Sequence, residues 1–323
     1  MSLKEEIGRI EKQHGKGMVF KFGDKPLTKV EVISTGVPAL DLALGVGGLP
    51  KGRVVEIFGP PSGGKSTIAQ QVIAEAQKAG GKAAYVDMEH SLDPSYAHAL
   101  GVNIDDLYVS QPDYGEQALE IAQSYIRSRE IDVVVIDSVA SLVPRAELDG
   151  SVGDQFMGLQ SRMMGQALRM LVSDVHTTKT LCIFINQVRM KIGVVYGNPE
   201  TTPGGHALPF YAGVRIRISP GTPIKDGDAI IGNRTKAKIV KCKVAPPFKE
   251  CEFDIIYGQG AVKESGLIDV GAEIGIIEKS GAWLTLPGGE RFQGRDNAIV
   301  RLREDKELAG KLESAIREKF NAH

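Results

Sequence analysis

Four short, mostly apolar runs, Val54–Phe58, Ala83–Val86, Val133–Ile136 and Leu181–Ile185, recur between segments of helical period. Runs of this kind suit strands buried on both faces, and strands alternating with helices build a largely parallel sheet with helices packed on it. The alternation extends from about residue 34 to 260 and sets the class as α/β. Each run stops at polar chemistry: Gly59 onward, then Asp87 and Glu89, then Asp137-Ser138, then Asn186-Gln187. Open α/β sheets bind ligands at the carboxyl ends of their strands, so these groups are expected along one edge.

The first run opens onto Gly59-Pro60-Pro61-Ser62-Gly63-Gly64-Lys65-Ser66, followed by Thr67, an instance of G-x-x-x-x-G-K-[ST]. Glycines let such a loop curl so that backbone N–H groups converge on a triphosphate. The lysine adds a cation for the β- and γ-phosphates, and the hydroxyl can ligate Mg²⁺. The next segment, with Ile68, Val72, Ile73 and Ala76 on one face, aims a positive helix end at the same anion. Val133–Asp137 supplies the complementary signature, an apolar strand closed by an acid, and Asp137 is expected to hold Mg²⁺ through a water. Glu89 is expected to orient the attacking water, with a solvated loop carboxylate as the plainer alternative. Together they announce an ATP or GTP site and leave its use open.

Composition narrows the class. No apolar stretch approaches the roughly 20 residues of a membrane span, and the N-terminus has no signal-peptide core. Three cysteines, Cys182, Cys242 and Cys251, without a C-x-x-C pair, suit a reducing cytoplasm and speak against structural zinc. With a net charge of −1, nucleic-acid contact has to come from local patches. Residues 234–249 hold six cations and no acid. Read as a strand, their lysines keep one phase through Lys238 and the other at Lys241 and Lys243, so a β-bulge or break is expected between Ile239 and Val240. A solvated basic edge strand is the competing reading. The segment after Gln187 is glycine-rich and carries Arg189, Lys191 and Tyr196; cations that track a backbone beside a ring that stacks suit single strands. A long loop without structure of its own is uncommon unless functional. An amide at Gln187 touching the γ-phosphate can order that loop only while ATP is intact. In the helix expected over 159–172, Arg162 and Arg169 share a face, while Met163 and Met164 read as packing.

The ends differ in character. Leu3, Ile7 and Ile10 predict an amphipathic helix over 3–14, and Val30–Ile33 an extended segment. Residues 1–30 are too thin for a core and read as an arm that packs on the main domain or a neighbouring subunit. The core spans 31–261, and 262–323, with Trp283 and a helical pattern over Asp305–Phe320, reads as a small C-terminal α/β domain.

Other residues carry a resemblance. Ser34-Thr35-Gly36 with Leu40-Asp41, Gly47-Gly48-Leu49-Pro50 with Gly52-Arg53, Asp87 to His90, Val135–Ser138 and, above all, Phe184–Gly193 with Gly197–Thr202 are similar to the RecA family of bacterial recombinases, from about residue 7 to 320. The resemblance implies a RecA-like phosphate-loop core with a twisted, mostly parallel sheet. It implies a DNA-dependent ATPase that forms ATP-bound filaments of itself on single-stranded DNA, pairs it with homologous double-stranded DNA and exchanges strands in recombinational repair. It further implies stimulated self-cleavage of an SOS repressor of LexA type. Residue by residue, Gly59–Thr67 would hold the nucleotide, with Asp93 and Tyr96 on the adenine. Lys65, Ser66, Asp137, Glu89 and Gln187 match the phosphate, Mg²⁺, water-activating and γ-phosphate-sensing positions. Segments 149–158 and 188–205 match two DNA-binding loops, which with helix 159–172 bring in Met157, Arg162, Arg169, Arg189, Lys191, Ile192, Tyr196, Gly204 and Gly205. Lys241 and Lys243 match lysines that reach into a neighbour's ATP site.

Departures from the family pattern carry expectations too. Pro61 and Gly63 stand where many relatives have an acid and a serine, which should tune affinity rather than remove activity. Ser219-Pro220 replace basic residues that help some relatives hold duplex DNA, and His206 replaces a frequent Asn. The chain ends at Asn321-Ala322-His323 without the acidic tail of many relatives, so less negative charge competes with phosphate. A hexameric motor such as a replicative helicase is the alternative reading, and segment 184–202 argues against it. A small-metabolite phosphotransferase would need an acceptor pocket and lid that the sequence does not show.

Overall fold

A computed structural model describes residues 2–21, 23, 29–151, 154–191, 193 and 199–321, which fall into two compact units, Met1–Glu31 and Val32–His323. The first unit holds helix α1 (Leu3–His14). Its start is set by Ser2, whose hydroxyl accepts the Glu5 N–H while the Glu5 carboxylate accepts the Ser2 N–H. None of its residues is buried.

The second unit opens with β1 (Val32–Ile33), α2 (Pro38–Leu44) and β2 (Leu49–Pro50), the two strands pairing antiparallel. Alternation follows: β3 (Val54–Gly59), α3 (Lys65–Lys78), β4 (Ala83–Asp87), α4 (Pro94–Ala99), β5 (Leu107–Ser110), α5 (Gly115–Arg127), β6 (Val133–Asp137), α6 (Arg145–Leu148), α7 (Leu159–Thr178) and β7 (Leu181–Gln187). Next come β8 (Arg189–Met190), β9 (Glu200–Thr201), α8 (Ala207–Tyr211) and β10 (Val214–Ser219), then β11 (Pro223–Asp226), β12 (Ala229–Cys242), β13 (Glu250–Ile256) and β14 (Gly260–Ala261). A ten-stranded sheet runs β14-β13-β12-β10-β3-β7-β6-β4-β5, with β11 beside β12. From β10 to β5 every pairing is parallel; β11 to β14 pair antiparallel.

Strand alternation decides the two faces. Val55 and Ile57 join Ile68, Val72 and Ile73 of α3 in one core. Val54, Val134, Ile136 and Phe184 join Leu119 and Ile126 of α5 and Leu168 and Leu171 of α7 in the other. With both faces covered the strands tolerate no polar alternation, which is why they read as apolar runs. Helix α7 extends to Thr178, beyond the 159–172 expected, and Met164 is fully buried in its core face. No helix among the described residues is long and apolar enough to cross a membrane.

The phase change in the basic strand is a bulge. Arg215 pairs with Lys241 and Ile216 with Ile239, leaving Val240 as the extra residue of β12. The loop after β7 differs from the structureless segment expected. Arg189 pairs with Thr201 and Met190 with Glu200, and the Lys191 N–H donates to the Pro199 carbonyl. Glu200 accepts from Arg217 of β10 at 2.8 and 2.6 Å, a two-point pair that pins this hairpin to the sheet.

Residues 263–321 form α9 (Lys263–Glu273), the three-stranded sheet β15 (Glu278–Ser280), β16 (Trp283–Thr285) and β17 (Arg291–Gln293), then α10 (Arg295–Glu304) and α11 (Lys306–Asn321). Leu267, Val270, Leu284, Leu302, Leu312 and Ile316 make their core. Arg295 donates to Asp254 of β13 and Asp269 of α9, and Arg234 of β12 reaches the same two carboxylates, tying these helices to the large sheet.

Candidate functional site

The phosphate loop leaves β3 where backbone crowding permits only glycine. A Cβ on Gly59 would lie 1.8 Å from the Ile218 carbonyl oxygen, and one on Gly64, at φ +90°, would lie 2.3 Å from Ile255 Cδ1. Helix α3 starts at Lys65 without a side-chain cap, so its first N–H groups are left for a ligand. Lys65 Nζ donates to the Pro60 carbonyl at 2.7 Å. Burial lowers its pKa, while the Asp137 and Glu89 carboxylates pull the other way.

Three neighbouring strands converge on this helix start. Asp137 Oδ2, at the end of β6, accepts from Ser66 Oγ and from Tyr85 Oη, each at 2.7 Å. Burial raises the Asp137 pKa, and those two hydrogen bonds work against the rise. Glu89, exposed just past β4, accepts from Ser138 Oγ, from Ser141 Oγ at 3.4 Å and from Gln187 Nε2 at 3.4 Å. The predicted acid and the predicted γ-phosphate sensor therefore touch. Asp87 plays another part: buried, it accepts the Ser91 and Leu92 N–H groups and Gln111 Nε2, shaping the turn that presents Glu89. Thr67 Oγ1 lies 3.0 Å from Tyr96 Oη, and Asp93 caps α4 by accepting the Ser95 and Tyr96 N–H groups. Asp93 and Tyr96 thus sit together beside the loop.

Residues expected to meet DNA lie on several elements. Arg189, Lys191, Arg162 and Arg169 are exposed and form no ion pair among the described residues. Met157 is 86% exposed. Arg162 also borders a groove of about 300 Å³ between α5 and α7, lined by Leu119, Met163 and Met170. Gly204 and Gly205 have positive φ and abut protein: a Cβ there would meet Val139 Cγ1 at 2.8 Å and Ser161 Oγ at 2.5 Å. Gln160 clamps this point, accepting the Gly204 N–H and donating to the Val139 and Leu142 carbonyls. Ile192 and Tyr196 lie outside the described residues.

Lys241 and Lys243 stand apart from the loop. Lys241 Nζ donates to the Pro209 and Phe210 carbonyls at 2.8 and 2.7 Å, and burial, then Lys243 and Arg215, lower its pKa. The Lys243 N–H donates to the Gly213 carbonyl, and the Gly213 N–H to that of Val54, at the amino end of β3. At about 3.3 Å per residue, that level is roughly 16 Å from Gly59, beyond a lysine's reach.

Comparison with known proteins gives this arrangement its setting. Residues 1–262 match the RecA N-terminal domain and residues 265–321 the RecA C-terminal domain. The chain is 58% identical over 319 residues to Protein RecA of Thioalkalivibrio sulfidiphilus, covering 98% of this chain and 93% of the relative. It is 55% identical over 317 residues to Protein RecA of Desulforapulum autotrophicum, covering 98% and 91%. This chain belongs to the RecA family. With RecA membership come nucleotide binding by a phosphate-loop fold, DNA-dependent ATP hydrolysis, DNA binding, self-assembly into filaments, and strand exchange in recombination and repair. A ring-forming helicase is not favoured. The crystal structure of the RadB recombinase shares the fold, with a TM-score of 0.53 at 21% identity over 71% of this chain and 98% of that one.

Three site residues in this RecA chain carry weaker sequence signals. Tyr85 is the one hydroxyl inside an apolar run, and Ser138 follows the strand-closing acid directly. Gln160 has no local pattern at all; its partners Val139, Leu142 and Gly204 lie far along the chain.

Proposed function

We propose that this chain hydrolyses ATP in a site completed by a neighbouring subunit and couples the γ-phosphate to its grip on DNA through Gln187. The N–H groups at the start of α3 and the Lys65 ammonium hold the phosphates. Ser66 and Asp137 offer a hydroxyl and a carboxylate, a hard-oxygen set that fits Mg²⁺, which usually takes one or two carboxylates plus substrate phosphates. When bound, the ion neutralises phosphate charge. Glu89 takes the proton of the attacking water, its carboxylate oriented by Ser138 and Ser141. Asp93 and Tyr96 border the base, and Lys241 and Lys243 serve the adjoining subunit.

The observation that carries this reading is the contact between Gln187 Nε2 and the Glu89 carboxylate, because Gln187 also ends β7, one residue before the Arg189/Lys191 hairpin begins. Ligand geometry at Glu89 is thereby felt at the root of the loop. Segments 149–158 and 188–205 are the DNA contacts in this account, the residues 1–30 an arm for a neighbour, 31–261 the ATPase core, and 262–323 a small C-terminal domain. The ATP-bound filament is also proposed to stimulate self-cleavage of a LexA-type repressor in the cytoplasm; incubating such a repressor with the chain, single-stranded DNA and a slowly hydrolysed ATP analogue should produce its cleavage fragments. For the ATP site, Lys65→Ala should abolish turnover, whereas Glu89→Gln should stop turnover yet keep ATP-dependent DNA binding. Loss of both functions in Glu89→Gln would contradict the role given to that carboxylate.

A further inference from the structure

Glu56 is a charged residue the ATP site does not use. It lies fully buried in the middle of β3, where an unpaired carboxylate would be costly. Its Oε2 accepts from Arg215 Nε at 2.5 Å, and Arg215 also stacks 4.6 Å from the centre of the Phe58 ring. Its Oε1 accepts from Asn186 Nδ2 at 2.9 Å. Asn186, equally buried, donates from the same nitrogen to the Pro203 carbonyl at 3.1 Å and accepts the Gln187 N–H on Oδ1 at 2.9 Å. One side-chain amide therefore holds the point where segment 188–205 leaves the sheet and a point close to where it returns.

We propose that Asn186, held by Glu56 and Arg215, is a positioning residue that ties both ends of the DNA-contacting loop and passes the γ-phosphate signal from Gln187 into it. The proposal rests on the reading of Gln187 and segment 188–205 given above. The chemistry requires these residue types. Only an amide can donate to two oxygens and accept an N–H from the same group. Glu56 supplies the acceptor that fixes which way the amide points, and Arg215 neutralises the carboxylate. Arg215 is also the register partner of Lys241, so the far end of the relay borders the lysines assigned to the neighbour's site.

Asn186→Asp tests the tie, because it sets a carboxylate oxygen against Glu56 and the Pro203 carbonyl. The double variant Glu56→Gln/Asn186→Asp restores a donor–acceptor pair between the two side chains but gives Pro203 no donor. Single-stranded DNA affinity is measured with and without a slowly hydrolysed ATP analogue, beside nucleotide affinity and melting temperature. Asn186→Asp should lose about tenfold or more of the ATP-dependent gain in DNA affinity while nucleotide affinity stays within about twofold. In the double variant the melting temperature should recover and the DNA response should not. A wild-type DNA response in Asn186→Asp, or a response that recovers with the melting temperature, overturns the proposal and leaves the underlying reading intact. A native chain whose DNA affinity ignores ATP sinks that reading, and the proposal with it.

Discussion

Asp41 shows how a single buried group sets a pH dependence. It accepts from Ser34 Oγ at 2.6 Å, the Thr35 N–H at 2.9 Å and Thr35 Oγ1 at 2.7 Å, all of which favour the carboxylate. Burial outweighs them and pushes its pKa up to about 6 from 3.8. The folded state then binds a proton that the unfolded state releases earlier, so stability is fully present below the unfolded value and falls as pH rises toward 6. The loss is about 3 kcal/mol. Urea midpoints should decline between pH 4 and 6, and Asp41→Asn should flatten that decline; an unchanged difference between the two proteins across this window would refute it. At the same scale, burial pushes the Cys182 thiol up to about 12, leaving it inert at neutral pH. The phosphate-loop residues and Asp137 are legible in sequence because their chemistry is fixed by local spacing. Glu56 is visible only as a polar break in an apolar run, and Asn186 only as one of the polar residues that end one; their meaning depends on strands that pair across more than a hundred residues.

Among the elements, the bulge at Val240 was legible because a lysine pattern must change phase when one residue is added to a strand. Lys241 opposite Arg215 shares the face of Lys238 opposite Arg217, so deleting Val240 should leave the lysines on that face, remove the local bend and twist of the bulge, and depress turnover without changing nucleotide affinity; unaltered turnover would mean the bulge has no role in aiming them. The hairpin of β8 and β9 was not legible, since two residues per strand leave no period to read and its anchor, Arg217, comes later in the chain. Arg217→Ala should speed amide exchange across the described hairpin residues while leaving the phosphate loop protected. If Arg189 meets a phosphate, Arg189→Ala should flatten the salt dependence of single-strand binding by about 0.7. An unchanged slope would remove it from the contact set.

For the whole molecule, the sheet order puts the phosphate loop at the carboxyl end of β3, with Lys243 level with its amino end and Lys241 level with Glu56 at its middle. If the two groups are halves of one site, as proposed, neighbouring subunits meet head to tail, and such contacts build open helical assemblies when the rotation does not close. The α/β class and its polar edge follow from the apolar runs, and the Gly59–Ser66 loop assigns a nucleotide to that edge. The proposal that this edge is half a site does not follow from them, because sequence carries no distance between Lys243 and Gly59. Complementation between dead subunits measures this directly. Lys65→Ala and Lys243→Ala subunits, each inactive alone, are mixed in equal amounts on single-stranded DNA and ATP turnover is recorded. Sharing between neighbours predicts recovery to about a quarter of the native rate, from interfaces that pair an intact loop with intact lysines. No recovery, in mixed filaments verified by electron microscopy, would contradict a shared site.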